Sequence, residues 1–392
     1  MKHSSVKRVL LSFVASAGVL CSNAQTNSIN IVTTAVPFLR ISPDARAGGM
    51  GDVGIATTPD ANSAFWNLAK TPFTKNKSAV SLTYTPWLKD LGLNDVYLLC
   101  ASGYYKLDDI NALSLSTRYF SLGTIQFTDA NGNDLQKSNP KEYSAELGYS
   151  RKLGEKLGLG VTLKYINSSL ISGSAGSDAT IYKAGTSIAG DISLFKNAPG
   201  ENGEGLSWGV ALSNLGTKIG YTNDAQNKDY IPANLGLGLA YTIVPDEGNR
   251  FSFALDVNKL LVPGLNSDST IDAATLAAYR SKSVVNSWFS SFSDGGNQLQ
   301  KLQASVGAEY TYADQFSLRT GYFYESNSQG GRKYLTFGAG LKYNVITINI
   351  SYLASSGNGV TRNPLSNTLR FGVTFDLDGG SAGADASSLS GN

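Results

Sequence analysis

From Ala79 onward the chain alternates apolar and polar side chains with a period of two, the spacing that sends successive residues to opposite faces of a strand. Thr368 to Leu377 shows it most fully: Leu369, Phe371, Val373, Phe375 and Leu377 share one face, and Arg370, Gly372, Thr374 and Asp376 the other. Leu157, Leu159, Val161, Leu163 and Tyr165 alternate with Gly158, Gly160, Thr162 and Lys164, and Ile346, Ile348, Ile350 and Tyr352 with Thr347, Asn349 and Ser351. About ten residues is the length that a tilted strand needs to cross a bilayer. An open sheet in hydrocarbon would leave a row of unpaired N–H and C=O groups at its edge, so strands of this kind must close into a cylinder. The pattern predicts fourteen of them, near 79–87, 95–105, 109–120, 142–151, 156–167, 179–194, 205–214, 233–243, 250–259, 301–312, 315–324, 333–343, 345–353 and 368–377. The predicted fold is therefore an all-β transmembrane protein, a closed antiparallel 14-stranded outer-membrane barrel over residues 78–377.

The connections sort by length. Those after even-numbered strands are mostly tight, such as 106–109, 152–156 and the single residue Asn344, and those after odd-numbered strands are mostly long, such as 121–141, 215–232 and 260–300. Short turns on one side and long loops on the other are the mark of an outer-membrane barrel, with both termini on the short-turn, periplasmic side and the long loops extracellular. Tyr84, Trp87, Tyr104, Tyr105, Tyr119, Tyr241, Tyr322, Tyr324 and Tyr343 fall near strand ends, where amphipathic rings meet lipid headgroups.

Residues 25–77 break the pattern. They are rich in Gly, Ala and Pro, with a short helix predicted from Asp60 to Lys70, capped by Thr58 or Asp60, and they suit a plug or hatch within the lumen. Ahead of them, Lys2, Lys7 and Arg8, the apolar run Val9 to Leu20, and Ser22-Asn23-Ala24 read as a secretory signal over residues 1–24. Residues 378–392 are a Gly/Ser/Ala/Asp tail, expected to be flexible and periplasmic.

Removing the signal removes function classes with it. Three basic residues and no acidic one go, leaving 29 basic against 30 acidic residues, too even for an electrostatic nucleic-acid binder. His3, the sole histidine, and Cys21 go too, so the mature chain has Cys100 as its one thiol and no histidine. No Ser-His-Asp or Cys-His pair, His/Cys zinc site or intrachain disulfide can be assembled, and no enzyme activity, metal or cofactor is expected. Glu142 and Glu146 should face the lumen, where inward charge is ordinary. The 42 Gly, 20 Tyr, 16 Phe and mean hydropathy of −0.11 fit a barrel, which hides its apolar half by alternation, better than a helical membrane protein.

Gly49-Met50-Gly51-Asp52-Val53-Gly54 matches G-x-G-x-x-G, but with no strand before it and no crossover helix after it, a tight loop is the better reading. Asp129, Asn131 and Asn133 resemble the start of a calcium loop, yet Pro140 stands where the bidentate Glu belongs, which favours an Asn-Gly turn at a loop tip. The longest connection holds IDAATLAAYRSKSVVNSWFSSF, a predicted helix whose Tyr279, Trp288, Phe289 and Phe292 are either a lid over the barrel mouth or anchors for a protein partner.

Pro37-Phe38-Leu39-Arg40-Ile41-Ser42-Pro43-Asp44-Ala45-Arg46-Ala47-Gly48-Gly49-Met50-Gly51-Asp52, Ala61 to Asn67, Ser213-Asn214-Leu215-Gly216 and Ile231 to Leu235 resemble FadL-like outer-membrane barrels, and within them the PorV family of Bacteroidetes type IX secretion. Asn67-Leu68-Ala69 departs from the usual Asn-Pro-Ala, which loosens the analogy to fatty-acid transporters more than that to PorV. Arg370, Gly372, Phe375 and Leu377 resemble the C-terminal insertion signal of outer-membrane barrels, and Gly48, Gly49, Gly51, Asp52 and Asn67 carry the plug motif. The resemblance implies a non-enzymatic shuttle in the outer membrane. It would bind the C-terminal signal domain of secreted cargo proteins at a large translocon barrel and deliver them to an attachment complex. That complex contains a sortase-like cysteine peptidase, which joins cargo to lipopolysaccharide. The alternative is a FadL-like passive transporter of hydrophobic small molecules, with residues 47–54 as a movable hatch.

Overall fold

A computed structural model describes residues 34–377 except 90–91, 129–130, 171–172, 175–180, 198–199, 201–202, 225–226, 265–272, 295–296 and 357–366. The signal at 1–24, the tail at 378–392 and the Asp129 turn position lie outside the described residues.

Fourteen antiparallel strands close into a barrel. In chain order they are β1 (Ser78–Pro86), β2 (Val96–Lys106), β3 (Asn111–Leu122), β4 (Lys141–Lys152), β5 (Leu157–Ser169), β6 (Gly185–Lys196), β7 (Gly205–Gly216), β8 (Asn234–Asp246), β9 (Asn249–Leu260), β10 (Leu302–Tyr312), β11 (Phe316–Glu325), β12 (Lys333–Tyr343), β13 (Ile346–Ser355) and β14 (Thr368–Asp376). Each pairs with its sequence neighbours, and β14 seals the wall against β1 in the register Ala79↔Asp376 to Tyr84↔Phe371. No sheet edge remains in the wall, which meets the demand that hydrocarbon places on backbone polar groups.

The alternation resolves into two surfaces. Leu115 is 67% exposed and Leu163 63% exposed, while Ser114, Ser116, Thr162 and Lys164 between and beside them are buried. Large apolar side chains bared on every strand, with small and polar ones turned inward, describe a wall that meets lipid outside. No helix among the described residues is long and apolar enough to cross a membrane. Tyr84, Tyr97 and Tyr119 form an outward ring chain near the long-loop rim, with centroids 5.9 and 6.3 Å apart. Trp87 and Tyr104, expected in the same belts, turn inward instead: Trp87 packs edge-on against Phe120, and Tyr104 is buried with Ala61 and Ala79. Cys100 is also inward and buried, in an apolar cluster with Val36, Phe38, Leu98 and Ile166.

Where expected and observed elements differ, local pairing explains it. The strand expected from 179 begins at Gly185, because Ile181–Tyr182 pairs with Gly173–Ser174 in a separate two-stranded ribbon. The loop after β3 likewise carries its own hairpin, Ile125–Thr128 with Asp134–Ser138. Ser213-Asn214-Leu215-Gly216 is a bulge in β7: pairing with β6 slips between Gly190 and Ile192, and Asn214 takes a left-handed φ of 57°. Asp191 Oδ1 accepts the Asn214 N–H at 2.7 Å, and Lys164 Nζ donates to Asn214 Oδ1 at 2.8 Å, locking the bulge from inside.

The N-terminal segment packs against inward faces all round the barrel. It holds α1 (Ala45–Gly48), α2 (Ser63–Trp66) and a 3-10 turn, Leu68–Phe73, so the helix expected from Asp60 to Lys70 is broken at Asn67, which is extended. The Asn67 side chain accepts from Ala69 N and starts the second turn. Asp60 serves the first only indirectly, its Oδ1 accepting from Asn62 N at 2.9 Å. The described chain starts at the long-loop mouth, where Ala35 N donates to Tyr230 O, and reaches β1 at the short-turn side, where Leu377 N meets Ser78 O.

Candidate functional site

Two places concentrate functional side chains: the N-terminal segment's seat in the lumen and the long loop between β9 and β10. In the first, glycine does what no other residue can. A Cβ on Gly49 would lie 3.0 Å from the Cα of Gly338, and one on Gly51, at φ 73°, would lie 2.7 Å from Tyr322 N. One on Gly48 would meet Nη1 of Arg370 at 2.8 Å. The wall reciprocates at Gly307 and Gly321, which lie against the Met50 backbone. Backbone thus meets backbone from both sides, and the G-x-G-x-x-G match is a close-packed loop.

Polar groups fix this contact. Gly51 N donates to Thr336 Oγ1 at 2.7 Å, and Gly54 N and Ile55 N both donate to Asp256 Oδ2, at 2.8 and 3.0 Å. Asn67 Nδ2 reaches Ile55 O at 3.1 Å and Leu194 O at 2.9 Å, joining two parts of the segment to β6. Arg46 forms a fork on Glu309 at 3.0 and 2.8 Å and a third bond to Asp60 at 2.8 Å, while Arg319 takes Glu309 from the other side at 2.6 Å. Asp52 Oδ2 accepts from Tyr334 Oη at 2.6 Å. Arg370, the first residue of the sequence that resembles an insertion signal, is buried among these groups with Asp52 Oδ1 3.9 Å away, whereas Phe375 and Leu377 face outward. Gly372 is inward with Arg370, its absent Cβ leaving room for Ala45 and Thr83.

In the long loop, the expected single helix is two, α3 (Ala273–Ser281) and α4 (Val284–Ser290), because Ser283 is extended and its hydroxyl caps Asn286 N. Tyr279 is 7% exposed, packed edge-on to Tyr230 with centroids 5.2 Å apart, so it anchors the helix pair and presents nothing to a partner. Burial pushes the Tyr230 phenol up to about 12, so it stays a neutral donor, bonding Tyr279 O and Lys282 O at 3.1 and 2.8 Å. Lys218 lies over the Tyr230 ring and donates to Arg280 O and Lys282 O, satisfying carbonyls at the end of α3. Arg280 returns to Asp229 at 2.8 Å, so the loop at 217–233 braces the loop at 261–301.

On this base apolar side chains stand bare: Phe289 on α4 is 74% exposed and Leu299, in the 3-10 turn Gln298–Lys301, 76%, while Val285 and Phe292 are half exposed, Phe292 with Lys259 Nζ 5.2 Å over its ring. Trp288 is only partly exposed. Leu299 was not singled out in the sequence, where it is one apolar residue among Asn297, Gln298, Gln300 and Lys301. Lys218, Tyr230 and Arg280 were missed too, since nothing local marks a contact between two loops. Among the described residues no His, Cys, Asp and Glu group is arranged to hold a metal.

A comparison with curated protein sequences finds no relative. Among solved structures, the Pseudomonas putida toluene transporter TodX aligns with a TM-score of 0.49 at 12% identity, over 84% of this chain and 96% of its own. The Ralstonia pickettii toluene transporter TbuX gives 0.48 at 11%, over 84% and 96%, and a Pseudomonas aeruginosa FadL homologue 0.45 at 11%, over 85% and 98%. The family model described as "Type IX secretion system protein PorV" matches residues 23–267, more than half of the chain, and the chain belongs to that family.

Proposed function

We propose that this barrel is a non-enzymatic cargo carrier of type IX secretion. It lies in the outer membrane with its long loops outside, takes secreted proteins by their C-terminal signal domains at the translocon barrel, and passes them to the surface attachment complex with its sortase-like peptidase. Family membership supports the pathway. The observation that carries cargo binding is the set of exposed apolar side chains Val285, Phe289, Phe292 and Leu299 on a loop held by the Lys218, Tyr230 and Arg280 brace. Ordering costs weaken loop recognition, and a braced loop has already met them. Exposed aromatic side chains on such a base are the composition of a protein-binding hot spot. The N-terminal segment, seated by backbone contact and buried ion pairs, acts in this reading as a fixed plug. A hatch for hydrophobic molecules would need an uninterrupted apolar path, and the main lumen cavity, about 510 Å³, sets the charged groups of Arg46, Asp60, Glu309 and Arg319 among its apolar residues Met50, Ala56, Phe73 and Ala240.

The test is Phe289→Ser with Phe292→Ser in the producing cell. The barrel should insert normally while cargo accumulates in the periplasm. Unchanged cargo export and attachment would refute the assignment of this surface.

A further inference from the structure

On the long-loop side of the N-terminal segment the lumen holds a separate cavity of about 120 Å³. That is room for roughly four waters, too little for an alkyl chain. Its lining includes three guanidinium groups, Arg40, Arg118 and Arg332, and one carboxylate, Asp52. A neighbouring cavity shares Arg40, Leu260 and Gln303 and continues to Gly264 and Lys301 in the long loop.

The charges here do not balance. Glu325 accepts from both Arg40, at 3.3 Å, and Arg332, at 2.7 Å, so one acid serves two bases. Asp52 is taken by Tyr334 Oη at 2.6 Å and has Arg370 3.9 Å away. Arg118 is only 4% exposed and has no carboxylate: Nη1 donates to Leu39 O, the guanidinium lies over the Phe65 ring at 4.9 Å, and Nε is unpaired. Arg370, 1% exposed, leaves Nε and Nη1 unpaired. Of the three guanidinium groups that line the cavity, Arg118 is the one with no hydrogen-bonded acid: the buried Glu142 and Glu146, diagonal to it on β4, are taken by Ser168, Ser116, Ser144 and Lys164. Arginine stays charged under all accessible conditions, so proton loss cannot relieve the excess. Uncompensated buried charge is among the costliest features a fold can keep.

We infer that this cavity is an oxyanion site, taking a carboxylate or phosphate group against Arg118 with Arg40 and Arg332 at its sides. Guanidinium forks match the paired oxygens of such groups, and the volume admits a head group with nothing bulky attached. The anion is either free or the exposed head of a lipid whose chains stay outside the cavity.

The mature protein, delipidated in detergent micelles, tests this at constant ionic strength by calorimetry and by the fluorescence of Trp66, which lines the cavity. Inorganic phosphate or acetate should give a saturable response that chloride does not, with affinity falling at least tenfold in Arg118→Gln and largely kept in Arg118→Lys. Binding of a short-chain phosphatidic acid without binding of free phosphate would mark a lipid source. Retention of the heat-modifiable gel band shows that each variant is folded. Absence of a saturable response to all three ligands in the unmodified protein, or an equal response in Arg118→Gln, overturns the site. Cargo export enters neither readout, so the outcome is separate from the proposed function.

Discussion

At the scale of single residues, the N-terminal segment is held by groups that approach too closely to tolerate substitution. A Cβ at Gly321 would overlap the Met50-Gly51 peptide, which is backbone and cannot swing aside. Gly321→Val should therefore unseat the loop while leaving β11 paired, and protease should cut within 45–60 in folded barrels where the unmodified protein resists. Asp256 makes the complementary case. It is fully buried and accepts two N–H groups with one oxygen, so Asp256→Ala leaves both donors unmet, at a cost of about 3 kcal/mol. Urea unfolding in micelles should show that loss, with Asp256→Asn recovering part of it. The tight loop was legible in Gly49-Met50-Gly51, because glycine at that density has few other uses. Asp256 was not legible. An inward carboxylate on an alternating strand looks ordinary, and its partners lie about 200 residues earlier in the chain.

At the scale of elements, strands were easier to read than loops, and for a physical reason. A membrane strand must alternate along its whole length, so β5, β13 and β14 announce themselves. A loop's conformation depends on contacts with other loops. The helical character of 273–290 was visible, but the break at Ser283 depends on one hydroxyl capping Asn286 N, and the role of Tyr279 depends on Tyr230 in a different loop. Removing the brace should free the helix pair and spare the barrel. Lys218→Ala with Arg280→Ala is expected to raise proteolysis within 261–301 about tenfold, equivalent to roughly 1.4 kcal/mol of local stability, with no change in the barrel's heat-modifiable mobility. An unaltered cleavage rate would show that the brace contributes nothing.

At the scale of the whole molecule, the closed wall and the seated segment make separable claims. The wall claim is that Leu163 meets hydrocarbon and Thr162 meets the lumen. Leu163→Arg should cost roughly 2–4 kcal/mol of folding stability in liposomes, as charge does near a bilayer midplane, and Thr162→Ser should cost almost nothing. The segment claim concerns permeability. A closed fourteen-stranded wall encloses a lumen wide enough for water unless something occupies it, and here the contacts run from Ser102 on β2 through Asp256 on β9 to Arg370 on β14. In planar bilayers the unmodified protein should therefore stay closed or pass only small currents. Combining Asp256→Ala with Gly321→Val removes two anchors on the same side of the segment without touching the outward face. Resolved opening steps in that variant, absent from the unmodified protein and from Leu163→Arg, would assign the closure to the segment. Large steady currents through the unmodified protein would instead mean that the segment is no plug.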